Sequence, residues 1–229
     1  MKIKGIQKLT LLDYPGKIAT TVFLGGCNFR CPFCHNASLV IPEKEGATLS
    51  EEGFFGFLEA RRGKLQAVCI SGGEPTLYPD LPTFIKKIRA LGYAVKLDTN
   101  GYRPEVLEAL ISEGLVDYVA MDIKNSQAKY GRTVGIEDFD LSPIERSIEV
   151  LRRGAVDYEF RTTVVRELHS HEDIMAIGRW LSGGEKFFLQ PFKDSGDVIS
   201  GGLSAYSEAE MRVLLDIFRS FVPLAQIRG

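Results

Sequence analysis

The stretch AVCISGGEPTLYPDLPTFIKKIRALGYAVKLDTNG, residues 67–101, carries one complete unit of the fold. Ala67–Ile70 is a short apolar run with β-branched residues, ended by the turn Ser71-Gly-Gly-Glu-Pro75. An amphipathic helical pattern follows near 81–91, and Gly92 stands where a helix usually ends in a left-handed residue. A second apolar run, Ala94–Leu97, then leads into Asp98-Thr-Asn-Gly101. Strand, helix and strand in this order predict parallel strands joined by a right-handed crossover.

The same unit recurs outward in both directions. Further apolar runs lie at Ala19–Leu24, Tyr118–Ile123, Tyr158–Val164 and Lys186–Leu189, and helical patterns near 50–62, 103–113, 143–153, 171–181 and 208–219. Ser142-Pro-Ile-Glu145 and Ser207-Glu-Ala-Glu210 read as capping boxes that start helices, the first closed by Gly154 and the second leading into a stripe of Met211, Leu214, Leu215 and Phe218. Gly114 closes its helix as Gly92 does. The near-continuous apolar strands predict burial on both faces. Six such strands are too few to close an eight-fold barrel, which leaves a partial barrel, (β/α)6, or an open doubly wound sheet. No linker divides the chain, so residues 1–229 read as one domain: a core of about 18–195, a lead-in over 1–17 and a C-terminal helix and strand over 205–229.

Composition narrows the function classes. The 229 residues are 45% hydrophobic and 25% charged, and 28 Lys and Arg against 30 Asp and Glu leave a net charge of −2. That balance argues against bulk binding of nucleic acid or anionic membrane. No apolar run approaches the roughly 18–20 residues of a membrane span, and the N-terminus lacks a signal-peptide pattern, so a cytoplasmic protein is expected. Four cysteines do not make a disulfide framework; Cys27, Cys31 and Cys34 are clustered while Cys69 stands apart in an apolar strand and reads as packing.

In a parallel α/β fold, chemistry gathers where strands end. The residues there are Gly25-Gly-Cys-Asn-Phe-Arg-Cys-Pro-Phe-Cys-His-Asn36, Ser71–Pro75, Asp98–Gly101, Asp122 with Lys124, Arg161, and Gln190-Pro-Phe192. Charged groups at so many ends are costly to desolvate without a ligand. Three thiolates spaced C-x3-C-x2-C can converge on one metal centre. Structural zinc wants four protein ligands, and the fourth is missing unless His35 supplies it. A four-iron cluster on three cysteines leaves one iron open, as a catalytic centre requires. Asp122 and Lys124 are two apart on a strand and face one side, where a simple salt bridge is the alternative reading. His169 and His171 flank a helix start and read as solvated. Asp13-Tyr-Pro-Gly-Lys17 reads as a type II turn.

The C-x3-C-x2-C motif followed by Gly-Gly-Glu-Pro resembles the radical S-adenosylmethionine (SAM) superfamily, from about residue 10 to 195. That resemblance implies a partial barrel, a 4Fe-4S cluster on Cys27, Cys31 and Cys34, and SAM chelated at the open iron, which is cleaved on reduction to a 5′-deoxyadenosyl radical. It also implies that Gly72, Gly73 and Glu74 meet the methionyl amine. Asp98, Thr99, Asp122 and Lys124 would line the SAM pocket, with a monovalent cation between the carboxylates. Arg161 would meet a carboxylate or ribose, and Phe33 would pack on adenine.

Leu12-Asp-Tyr-Pro-Gly-Lys17 before the first strand, with Phe23-Leu-Gly-Gly-Cys-Asn-Phe-Arg-Cys-Pro-Phe-Cys-His-Asn36, looks like the activating proteins of anaerobic ribonucleoside-triphosphate reductase. The implied reaction is abstraction of a glycine α-hydrogen from a partner glycyl radical enzyme, with a flavodoxin or ferredoxin as electron donor. Two departures stand out. The chain has only Cys69 beyond the trio, which excludes activases with extra clusters, and Lys193 stands where pyruvate formate-lyase activases place a His. The alternatives are a small-molecule radical SAM enzyme similar to the deazaguanine synthases, and a zinc-bearing interaction module using the three cysteines and His35.

Overall fold

Eight strands follow one another across the sheet in chain order: β1 (Ile3–Thr10), β2 (Ala19–Leu24), β3 (Ala67–Gly72), β4 (Ala94–Thr99), β5 (Tyr118–Asp122), β6 (Asp157–Val164), β7 (Phe187–Pro191) and β8 (Gln226–Ile227). The computed structural model describes residues 1–41, 48–183, 186–194 and 196–229. The helices are α1 (Ala37–Val40), α2 (Glu51–Ala60), α3 (Leu81–Ala90), α4 (Pro104–Ser112), α5 (Tyr130–Val134), α6 (Ser142–Arg152), α7 (His171–Trp180) and α8 (Glu208–Arg219). The sheet is mostly parallel and open, as a partial barrel requires.

The chain forms two compact units. The first holds residues 1–28, 38–120 and 143–158, and the second 29–37, 121–142 and 159–229.

In the first unit β2 pairs with β3 from Ala19↔Ala67 to Leu24↔Gly72, and β3 with β4 from Ala67↔Ala94 to Ile70↔Leu97, all parallel. Val22, Ile70 and Leu97 on one face and Thr21, Cys69 and Lys96 on the other are all buried, so these strands are covered on both faces as predicted. α3 presents Leu81, Phe84, Ile85 and Ile88 to that core, and Phe84 stacks on Phe54 of α2 with ring centroids 5.5 Å apart. Gly92 and Gly114 end α3 and α4 with φ of +89° and +62°, the left-handed exit read from the sequence.

In the second unit β6, β7 and β8 are parallel, with Phe160↔Phe187 and Phe188↔Gln226 in register. α8 buries Met211, Leu214, Leu215 and Phe218, and Phe218 lies 4.6 Å from Phe187. Its Ser207–Glu210 capping box is present, and a second box, Ser170–Asp173, starts α7.

One expectation needs correction. The lead-in is not only a turn: in addition to the six core strands and to the C-terminal strand expected over 205–229, which is β8, β1 runs antiparallel to β2. Its charged and polar residues, Lys4, Gln7 and Lys8 among them, break the apolar run by which the other strands were recognised. α6 begins at Ser142, whose N–H donates to the Asp140 carboxylate at 3.0 Å. The turn over residues 13–17 is present, with Gly16 at φ +73° and Lys17 N–H donating to the Tyr14 carbonyl at 3.3 Å.

Candidate functional site

In the first unit, the ends of β2, β3 and β4 converge through backbone contacts that only glycine permits. Gly73 N–H donates to the Leu24 carbonyl and Glu74 N–H to the Gly26 carbonyl, each at 2.8 Å. A Cβ on Gly73 would stand 1.9 Å from the Gly26 oxygen, and one on Gly72, whose φ is +116°, 2.3 Å from the Leu24 oxygen. The turn is therefore pressed against the segment that leads directly into Cys27.

Glu74 is fully buried and its carboxylate is engaged within the chain. Oε1 accepts from Thr76 N–H at 3.0 Å, from Thr76 Oγ1 at 2.5 Å and from Thr99 Oγ1 at 2.8 Å, while Oε2 accepts from Asn100 N–H at 2.6 Å. Burial pushes its pKa up, and these donors pull the other way. Glu74 thus ties the Gly-Gly-Glu turn to the Asp98–Gly101 turn, both named from sequence as pocket elements.

Asp98 is likewise partnered. It forms an ion pair with Lys96, which is 1% exposed, and accepts from Ser71 Oγ at 2.9 Å. Cys69 is fully buried, as expected of a packing residue, but its Sγ lies 3.8 Å from both Lys96 Nζ and Asp98 Oδ1. Sequence reading passed over Lys96. The signal was available: Lys96 and Asp98 are two apart on a strand, the spacing that singled out Asp122 and Lys124.

In the second unit, Asp122 at the end of β5 accepts from Arg161 Nε and Lys124 Nζ, each at 2.9 Å. Burial would raise the Asp122 pKa, but the two cations outweigh it and hold the carboxyl well below the usual carboxylate range. Burial opposes and the Asp122 carboxylate raises the Lys124 pKa, so Lys124 stands as an ammonium paired with Asp122.

The second part of the cysteine loop is anchored in this unit. Arg30 N–H donates to the Val134 carbonyl at 2.8 Å, and a Cβ on Gly135, φ +71°, would lie 2.7 Å from the Arg30 oxygen. Phe29 meets Phe139 edge-on at 5.7 Å, and Cys34 N–H donates to the Cys31 carbonyl at 2.9 Å. Phe33 is buried with its ring edge-on to His169 at 6.4 Å.

His169 corrects the expectation of a solvated residue: it is fully buried. Its Nε2 lies 2.8 Å from the Lys124 carbonyl and its Nδ1 accepts from Val165 N–H at 3.1 Å, which places the proton on Nε2. Burial lowers its pKa, so the imidazole is neutral. It steadies both the Lys124 backbone and Phe33. His171 is exposed, and so is Lys193.

Cys27, Cys31 and Cys34 are all outside disulfides. Among the described residues no three His, Cys, Asp or Glu side chains are grouped around a single metal position. The donor set nevertheless suits an iron–sulfur cluster: three thiols on one short loop, and next to Cys27 a buried Asn28 Nδ2 that has no acceptor among the described residues. No described helix is long and apolar enough to cross a membrane.

Residues 21–181 match the family described as the Radical SAM superfamily. A Methanocaldococcus jannaschii protein named as a glycyl-radical enzyme activating enzyme is 37% identical over 234 residues, covering 99% of this chain and 95% of that protein. The 7-carboxy-7-deazaguanine synthase of Koribacter versatilis is 30% identical over 158 residues, 68% of this chain and 65% of that protein. The crystal structure of Streptococcus suis SuiB bound to S-adenosylmethionine shares the fold at a TM-score of 0.66 and 15% identity, over 91% of this chain but only 52% of that one. With the cysteine spacing, the Gly-Gly-Glu turn and an open parallel sheet already in place, the match over residues 21–181 assigns the chain to the radical SAM superfamily.

Proposed function

We propose that this chain is a glycyl-radical-enzyme activase that uses SAM and a 4Fe-4S cluster to remove an α-hydrogen from one glycine of a partner enzyme, and that the partner is an anaerobic ribonucleoside-triphosphate reductase. The observation that carries the activase reading is the similarity, 37% over 99% of the chain, to a protein named as a glycyl-radical enzyme activating enzyme; the reductase as partner rests on the Leu12–Lys17 and Phe23–Asn36 motifs. Once bound and reduced by one electron, the cluster and SAM supply a 5′-deoxyadenosyl radical.

The chain's own residues bind and orient. Cys27, Cys31 and Cys34 are the three cluster ligands. Gly72 and Gly73 offer backbone to the methionyl amine, and Glu74 keeps their turn in place through the bonds it accepts from Thr76, Thr99 and Asn100. Asp98 and Thr99 belong to the same pocket, with Lys96 already supplying a cation at Asp98. A monovalent cation at these carboxylates remains part of the proposal. The Asp122, Lys124 and Arg161 group holds charge of both signs for the zwitterionic end and ribose of SAM, and Phe33 offers its ring to adenine. The electron comes from a flavodoxin or ferredoxin. Lys193 takes the place of a His in the pyruvate formate-lyase activases, which favours a reductase as partner.

The test is anaerobic reconstitution with iron and sulfide, followed by SAM, a one-electron reductant and the reductase. Electron paramagnetic resonance should then show a glycyl radical on the reductase. SAM turnover supported by a small molecule, with no radical on any glycyl radical enzyme, would replace this reading with the synthase-like one that the 30% similarity to the deazaguanine synthase favours.

A further inference from the structure

Beside Cys27, two asparagine side chains form a directed relay whose last donor has no acceptor among the described residues. Tyr102 N–H donates to Asn100 Oδ1 at 3.0 Å, which fixes the Asn100 amide so that its Nδ2 faces the other way. That Nδ2 donates to Asn28 Oδ1 at 2.9 Å and lies 3.9 Å from Cys27 Sγ. Asn100 is itself anchored, since its own N–H donates to the buried Glu74 carboxylate at 2.6 Å. With Asn28 Oδ1 committed to Asn100, the Asn28 Nδ2 group must point elsewhere. It is buried and partnerless.

A buried N–H without an acceptor is destabilising, so such a group implies an acceptor that arrives with a ligand. The adjacent residue identifies the acceptor class. Cys27 becomes a thiolate when it ligates iron, and bridging sulfides come with the cluster; both are electron-rich sulfur acceptors.

We propose that the Asn28 amide, aimed by Asn100, donates a hydrogen bond to cluster sulfur at the Cys27 corner and raises the reduction potential of the cluster. The inference rests on the reading of Cys27 as a cluster ligand. Physically, an N–H dipole directed at sulfur stabilises the reduced cluster, which carries one more negative charge, more than the oxidised one. Asn28 is thus a positioning and tuning residue, and Asn100 orients it.

The experiment is a redox titration of the anaerobically reconstituted protein, following the reduced cluster by electron paramagnetic resonance, with iron and acid-labile sulfide measured on each sample. The variants are Asn28→Ala, which removes the amide, and Asn28→Asp, which keeps an oxygen facing Asn100 but removes the donor. Each should retain a full cluster while its midpoint moves negative. At the wild-type midpoint the reduced-to-oxidised ratio should fall about tenfold, a shift of about 59 mV for one electron. If Asn28→Ala does not fold, Asn28→Asp decides. An unshifted midpoint in a fully loaded variant overturns the inference. So does loss of iron by folded variants, which would make Asn28 a structural residue of the loop. A wild-type protein that assembles no cluster instead sinks the underlying assignment of Cys27.

Discussion

His169 illustrates how one buried side chain can set the pH behaviour of a site. Its neutral imidazole spans from the Val165 N–H to the Lys124 carbonyl and packs against Phe33. Burial lowers its folded-state pKa below the unfolded value of about 6.5. Below that pH the unfolded chain takes up a proton that the folded chain refuses, so stability present above about pH 6.5 is lost as the pH falls. His169→Asn should cost about 1–3 kcal/mol at pH 7.5 by leaving a buried partner unsatisfied. The gap between variant and wild type should then narrow below pH 6.5, by at most about 1.4 kcal/mol per pH unit. Urea unfolding of both proteins from pH 7.5 to 5 reads this directly, and a gap independent of pH would contradict it. His169 was legible in sequence only as a polar residue near a helix start. Its burial depends on Lys124, 45 residues away in the chain, and no local pattern encodes that.

At the scale of elements, the Gly-Gly-Glu turn after β3 and the segment after β2 approach so closely that a Cβ on Gly73 would stand 1.9 Å from the Gly26 oxygen. A methyl group at Gly73 would overlap the Gly26 carbonyl, and both partners are backbone, so neither can rotate away. Gly73→Ala should therefore destabilise by about 3 kcal/mol and disturb the entry to Cys27. Gly92→Ala is the control: its φ of +89° makes alanine strained, but nothing lies within 4 Å of the added atom, so the cost should be about 1 kcal/mol. Equal urea midpoints for the two variants would show that the close approach is not what distinguishes them. The β-strands carrying these turns were recognisable because they are buried on both faces. β1 was not, since only Ile3 and Thr10 at its ends are buried and it pairs antiparallel at the sheet edge.

For the whole molecule, membership of the radical SAM superfamily turns the three cysteines into a claim about metal content. Protein purified without oxygen and reconstituted should hold iron with acid-labile sulfide. Zinc without sulfide, bound by Cys27, Cys31, Cys34 and His35, would instead support a closed structural site. Elemental and sulfide analysis separates the two. The alternation of apolar runs and amphipathic helices determined the parallel α/β architecture, because burial on two faces and helical periodicity are written in consecutive residues. The C-x3-C-x2-C spacing and the polar residues at the strand ends likewise marked the candidate site, since a parallel sheet delivers those ends to one edge. Only the tertiary structure decided how these groups are used. It committed the Glu74 oxygens to donors from Thr76, Thr99 and Asn100, matched Asp98 with Lys96, and left Asn28 with a donor to spare. The physical reason is sequence distance: a strand's period of two assigns a side chain to a face, but the Asn28–Asn100 bond joins residues 72 apart, and such partners meet only when the chain folds.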